Sequence, residues 1–295
     1  GEDASGDRLV EGTARNKQID TRSTQVGGPG DGLRPRPGDE VQREHRERIL
    51  EHLIQLARGT DLMLHQVQVI VGVNRCELAS QEQQLPPYDE ALLRRELQLF
   101  PEWYCGQYRG FVFNPKQQAT LDRAFDAIVA ENLKAPRVYV HRDFMPRNLM
   151  LPTDPSKPTA PLGVLDFQDA VFGPITYDIA SLMRDAFISW DEDFVLDVTI
   201  RYWQAARAAG LPLPDDFGEF WRAVEWMGLQ RHLKVAGIFA RITLRDGKPK
   251  YLADAPRFIH YIRHTCNRYI ELKPLLRLVD EIEGIQTQST FVMGR

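Results

Sequence analysis

Val138-Tyr139-Val140-His141-Arg142-Asp143-Phe144-Met145-Pro146-Arg147-Asn148 is a short apolar strand run that feeds straight into the pattern H-R-D-x-x-x-x-N. Downstream, Gly163-Val164-Leu165 leads into a second acidic cluster, Asp166-Phe167-Gln168-Asp169. Leu149–Leu151 lies between them as a further strand candidate. Outward from this β element the texture is helical. Asp89 is placed to cap a helix bearing Leu92, Leu93, Leu97 and Phe100, and Lys116 to Leu133 carries Leu121, Phe125, Ile128, Val129 and Leu133 on one face. Residues Ile179–Phe187, Phe194–Ala206, Phe217–Ala240 and Phe258–Ile270 repeat with helical period, and Pro274 suits the first turn of a last helix. The expected fold class is α+β: a mostly helical lobe in which a small β element holds the chemistry.

That chemistry is legible in the residue types. An Asp in a loop after a strand, an Asn five residues later and another Asp beyond a β-turn supply what phosphoryl transfer needs. One carboxylate orients a hydroxyl nucleophile, and two oxygen ligands hold magnesium on nucleotide phosphates. Asp143 is the candidate base; Asn148 and Asp166 are the candidate metal ligands, both hard oxygen donors. The competing structural readings are a turn-closing Asp143, an Asx-turn at Asn148 and a strand-ending Asp166. His141 and Arg142 are assigned to scaffolding, the His through hydrogen bonds to nearby backbone. Asp178, in Pro174-Ile175-Thr176-Tyr177-Asp178, is either a helix N-cap or a buried brace for the catalytic loop. Gln168 and Asp169 touch a second metal or substrate, or else face solvent in a turn.

The chain has 295 residues, a net charge of −4 and a pI near 6.0, which gives no global case for binding nucleic acid. Its three cysteines, Cys76, Cys105 and Cys266, form no C-x-x-C pair, so reduced thiols are expected. Apolar runs fall short of the roughly 20 residues of a membrane helix. The expectation is a soluble, cytoplasmic monomer.

Residues 1–40 hold eleven glycines and prolines and only five larger aliphatics, so they are expected to form a flexible tail. Residues 41–58 suggest an amphipathic helix, and Leu62 to Val73, with Val67, Val69 and Val71 alternating, suggests a strand. Pro86-Pro87 marks a boundary, giving an N-terminal segment 1–84, a lobe 85–283 and a C-terminal tail 284–295.

These motifs resemble the aminoglycoside phosphotransferase family, which shares the protein-kinase-like fold. Gly228-Leu229-Gln230-Arg231-His232-Leu233-Lys234-Val235-Ala236-Gly237-Ile238-Phe239-Ala240-Arg241, Leu85-Pro86-Pro87-Tyr88-Asp89 and Phe100-Pro101-Glu102-Trp103-Tyr104 look more closely like the bacterial anomeric kinases for N-acetylmuramate and N-acetylglucosamine in cell-wall recycling. The resemblance covers about residues 85–283. It implies that Asp143 is the base, that Asn148 and Asp166 bind Mg2+, and that ATP phosphorylates the C1 hydroxyl of an amino sugar. Arg147, Arg231 and Lys234 become candidates for the lactyl carboxylate of N-acetylmuramate, although 231 and 234 also fit a solvated helix face. One departure stands out. The phosphate-covering lobe of such kinases carries a strand lysine, whereas Lys17 is the sole lysine before residue 116. Residues 1–84 are therefore read as a diverged lobe or as a shifted or misjoined frame. The alternatives are a non-catalytic, pseudokinase-like sugar-binding module and a kinase for an aminoglycoside, choline or homoserine.

Overall fold

A computed structural model describes residues 60–75, 85–150 and 163–285, all within one packed unit that spans 46–295. The expected tail 1–40, the helix 41–58 and nearly all of the tail 284–295 lie outside the described residues. The described helices are α1 (Thr60–Arg75), α2 (Glu90–Leu97), α3 (Pro115–Lys134), α4 (Thr176–Met183), α5 (Glu192–Ala208), α6 (Phe217–Asp246), α7 (Ala255–Arg268) and α8 (Lys273–Glu283). A π-helical segment, Phe100–Tyr108, joins α2 to α3. Four short strands complete the set: β1 (Arg137–Val140), β2 (Leu149–Met150), β3 (Gly163–Val164) and β4 (Val171–Pro174). A mostly helical lobe with a small β element is the architecture expected from the residue pattern.

Local chemistry explains the helix starts. Asp89 Oδ1 accepts from Leu92 N–H at 2.9 Å, and Asn114 and Gln117 form a reciprocal capping box ahead of Pro115. Asp216 caps α6, the 30-residue spine, which ends at Gly247 with φ of 66°. This helix packs against the π-helical segment, α3, α4 and α7. Contact with the π-helical segment depends on Gly237: a Cβ there would lie 2.3 Å from the Leu99 carbonyl.

Two segments depart from expectation. Leu62 to Val73 is helical, within α1. Its apolar run satisfies both periods, and burial decides: Val67, Ile70, Val71 and Asn74 face α5 and β1 at the i, i+3, i+4, i+7 spacing of a helix. Because Val67 and Ile70 belong to the same core as β1 and α5, the packed unit takes in residues upstream of Leu85. The helix expected over Ile179–Phe187 instead runs from Thr176 to Met183. Asp185 Oδ1 accepts from the backbone N–H groups of Phe187 and Ile188 (2.6 and 3.0 Å), turning the chain away.

The β element frames the loop of interest. β1 pairs antiparallel with β4, Val140 opposite Val171, and Pro86–Tyr88 runs parallel on the other edge of β4 through Phe172. Gly173 permits this approach, since a Cβ there would sit 2.6 Å from Tyr88 Cβ. The second pair sets Leu149 opposite Val164. One step further, Leu165 N–H donates to the Asn148 carbonyl at 2.9 Å, so Asp166 begins just past the point opposite Asn148.

Candidate active site

The loop Val140–Asn148 is held from beneath by one buried carboxylate. Asp178, fully buried in the first turn of α4, accepts from His141 N–H at 2.8 Å and from Arg142 N–H at 3.0 Å. Burial pushes its carboxyl above the ordinary value, and these two backbone donors pull it back. The clamp matters because Arg142 has φ of 73°, a left-handed conformation that a bulky side chain adopts only under constraint. Asp178 therefore acts as a brace; the structure gives it no N-cap hydrogen bond on α4.

Asn74 of α1 secures the brace. Its Nδ2 donates to the Tyr139 carbonyl (2.8 Å) and to Asp178 Oδ2 (3.3 Å), while its Oδ1 accepts from the Tyr202 hydroxyl at 2.8 Å. Asn74, Asp178 and Tyr202 are buried, and satisfied networks in such surroundings fix a single arrangement.

Glu96 of α2 forms a second anchor. It accepts from Arg142 Nη2 (2.7 Å), Lys234 Nζ (2.9 Å) and the Tyr88 hydroxyl (2.5 Å). Burial alone would raise the Glu96 carboxyl; Lys234, the Tyr88 hydrogen bond and Arg142 outweigh it and hold the group below its usual range. Lys234 also donates to the Tyr177 hydroxyl at 3.1 Å. Arg231 Nη1 donates to the Arg142 carbonyl at 3.2 Å, its guanidinium over the Tyr177 ring. Burial works against the Arg231 charge, yet Tyr177 and the nearby Asp143 carboxylate keep it firmly protonated.

Each residue singled out in the sequence now has a place. Asp143 is half-buried at the head of the clamped loop. Asn148 is buried, and its Nδ2 donates to the Asp143 carbonyl at 2.8 Å, so Oδ1 is the atom it could offer to a ligand. Asp166 is exposed, with φ of 68°, and Gln168 Nε2 donates to its Oδ1. The Asn148 amide oxygen and the Asp166 carboxylate are both hard oxygen donors, the donor chemistry that suits Mg2+. Among the described residues no group of three or more His, Cys, Asp or Glu side chains converges to hold a metal. Asp169 is exposed, its carbonyl accepting from Arg142 Nη1 at 3.4 Å. Arg147 is exposed beside Asn148.

Two expectations are corrected. The His141 ring makes no hydrogen bond among the described residues; it packs edge-on against Phe144, and only the backbone N–H of His141 serves the brace. Arg231 and Lys234 do not form a solvated face, because Arg231 is 5% exposed and both are tied into the anchors beneath the loop. Asn74, Glu96 and Asp185 carry no motif. Glu96 reads in Glu90–Leu97 as an ordinary helix-surface carboxylate, and nothing in the sequence distinguishes Asn74.

A family model described as the phosphotransferase enzyme family matches residues 26–213. The chain belongs to this phosphotransferase family. It is 50% identical over 233 residues to an N-acetylmuramate/N-acetylglucosamine kinase of Neisseria meningitidis serogroup B, covering 78% of this chain and 67% of that protein. It is 52% identical over 200 residues to a kinase of the same name from Pseudomonas putida, covering 68% of this chain and 57% of that protein. The chain thus spans between about half and two thirds of the length of these relatives. Among solved structures, ADP-bound aminoglycoside phosphotransferase APH(2'')-Ib superposes with a TM-score of 0.43 at 13% identity, covering 68% of this chain and 62% of that one. That likeness is too weak to add to the family match. No described helix is long and apolar enough to cross a membrane.

Proposed function

We propose that this phosphotransferase moves the γ-phosphoryl group of ATP to the anomeric C1 hydroxyl of N-acetylmuramate or N-acetylglucosamine, in recycling of cell-wall sugars. The observation that carries the reading is the double restraint on one loop. Asp178 takes the N–H groups ahead of Asp143, and Asn148 takes the Asp143 carbonyl behind it. Phosphoryl transfer gains mainly from positioning and charge stabilisation, so a carboxylate fixed on both sides is the part the protein must supply. Asp143 accepts the proton of the sugar hydroxyl, which at the anomeric carbon is more acidic than an ordinary alcohol. Arg231 lies beneath the loop, donating to the Arg142 carbonyl next to Asp143. Asn148 Oδ1 and the Asp166 carboxylate would hold Mg2+, which when bound neutralises charge on the nucleotide phosphates. ATP as donor suits a cytoplasmic setting. Two kinases of this specificity, each at least 50% identical, support the choice of acceptor.

The test is phosphorus NMR of the chain with ATP, Mg2+ and each sugar. The expected product is an acid-labile glycosyl phosphate, lost in Asp143→Asn while the fold is retained. Full activity in that variant would overturn the role of Asp143. Sugar binding with no transfer by the wild type would favour a non-catalytic sugar-binding module.

A further inference from the structure

The two sugars in the relatives' names differ by one group: N-acetylmuramate carries a lactyl ether at C3, and hence a carboxylate, that N-acetylglucosamine lacks. An enzyme that meets both needs one cation on the acceptor side that is not already neutralised. Three basic residues qualify by position, and the structure separates them. Lys234 is spent on Glu96 and Tyr177, and Arg231 is buried against the Arg142 carbonyl. Arg147 is exposed and has no ion pair among the described residues.

Arg147 is also held in a fixed pose. It lies in the 3-10 turn Pro146–Asn148, four residues after Asp143, and its guanidinium sits over the Phe187 ring at 4.5 Å from the centroid. That ring is itself fixed. Asp185 takes the Phe187 and Ile188 backbone N–H groups, and the ring packs on Phe239 at 5.7 Å. Stacking on an aromatic occupies the face of a guanidinium and leaves its N–H edge for an acceptor, the geometry in which arginine grips carboxylate bidentately. Asp185 is close enough to feel the Arg147 charge, but it is 2% exposed and one of its oxygens is committed to the turn. The acid of N-acetylmuramate is borne two ring carbons from the reacting hydroxyl, which calls for a cation on the loop that holds Asp143 rather than one deep between helices.

Resting on the function proposed above, we infer that Arg147, stacked on Phe187, is the carboxylate-recognising residue that sets preference for N-acetylmuramate over N-acetylglucosamine. The subsite is assembled by the turn at Asp185 and takes a small carboxylate.

Isothermal titration of the full chain with N-acetylmuramate and with N-acetylglucosamine tests this, for wild type, Arg147→Gln and Arg147→Lys. Loss of a charge-assisted bidentate contact should lower the ratio of affinities, N-acetylmuramate over N-acetylglucosamine, by about ten- to a hundredfold in Arg147→Gln. Arg147→Lys, which keeps the charge without the fork, should fall between. A ratio unchanged in both variants overturns the inference and leaves the kinase reading intact. So does a wild type that binds N-acetylglucosamine alone. A wild type that binds neither sugar removes the kinase reading, and this inference with it. Equal weakening of both sugars would make Arg147 a general support for the turn and would also overturn the assignment.

Discussion

Replacing Asp178 by Asn keeps its shape and removes its charge, and the hydrogen-bond geometry dictates the outcome. Oδ2 accepts from His141 N–H (2.8 Å) and Asn74 Nδ2 (3.3 Å), and Oδ1 accepts from Arg142 N–H (3.0 Å). An amide has one oxygen. Whichever way Asn is turned, its NH2 group meets a donor: Arg142 N–H in one orientation, or His141 N–H and Asn74 in the other. One charge-assisted hydrogen bond is lost, roughly 1.5–3 kcal/mol, and a buried N–H is orphaned, roughly 1–3 kcal/mol. Against this, the neutral side chain no longer carries the burial cost that raises the Asp178 carboxyl. The net expectation is a loss of about 2–4 kcal/mol, read as a lower midpoint in urea at unchanged slope. Freed of its clamp, Arg142 should relax from φ of 73° and carry Asp143 with it. A misplacement of the base on the order of 1 Å lowers transfer about a hundredfold. Hydrogen exchange separates the two effects, because the His141 and Arg142 amides should exchange far faster in the variant under conditions where it is fully folded. An unchanged midpoint together with unchanged protection of those two amides would refute the clamp.

Two further perturbations concern the packing of α6. His232 is buried, with Nε2 3.2 Å from the Arg184 carbonyl, and burial together with Arg184 and Arg231 pushes its imidazole down to about 3. Its unfolded value is near 6.5, so the unfolded chain binds the extra proton between about pH 6.5 and 3 and stability falls as pH drops through that window. Between pH 7 and 5 the wild type should lose about 2 kcal/mol more than His232→Gln, measured by denaturant titration at both pH values. Matching pH slopes in the two proteins would contradict a buried neutral imidazole. Gly237→Ala drives a methyl into the Leu99 carbonyl, at 2.3 Å, where the obstacle is backbone and cannot rotate aside. A loss of about 2–4 kcal/mol is expected from such overpacking, visible as a lower Tm in calorimetry. An unshifted Tm would mean that the π-helical segment moves away freely.

The features legible directly from residues were local. The strand–loop–strand signature around Asp143, Asn148 and Asp166 depends on residue type and short spacing, and both are written in the chain. The helix start at Asp89 likewise comes from a side chain that bonds to backbone within three residues, and the structure shows the same local rule at Asn114 and Asp216. Val67, Val69 and Val71 misled because a nearly continuous apolar run fits two periods, and only the neighbours on which it packs choose between them.

The family was legible in the sequence alone, and the loop chemistry proposed for it rests on H-R-D-x-x-x-x-N and the Asp166 cluster, whose residue types and order are written along the chain. Tertiary structure decided which groups make that loop hold still. Asn74 lies 104 residues before Asp178, and Glu96 lies 138 before Lys234, yet each pair is in contact. Bonds between residues so far apart leave no periodic trace, since each is created by the fold that brings two buried polar atoms together. Burial also sorted three similar cations into different tasks: Arg231 and Lys234 beneath the loop, and Arg147 open to solvent on the Phe187 ring.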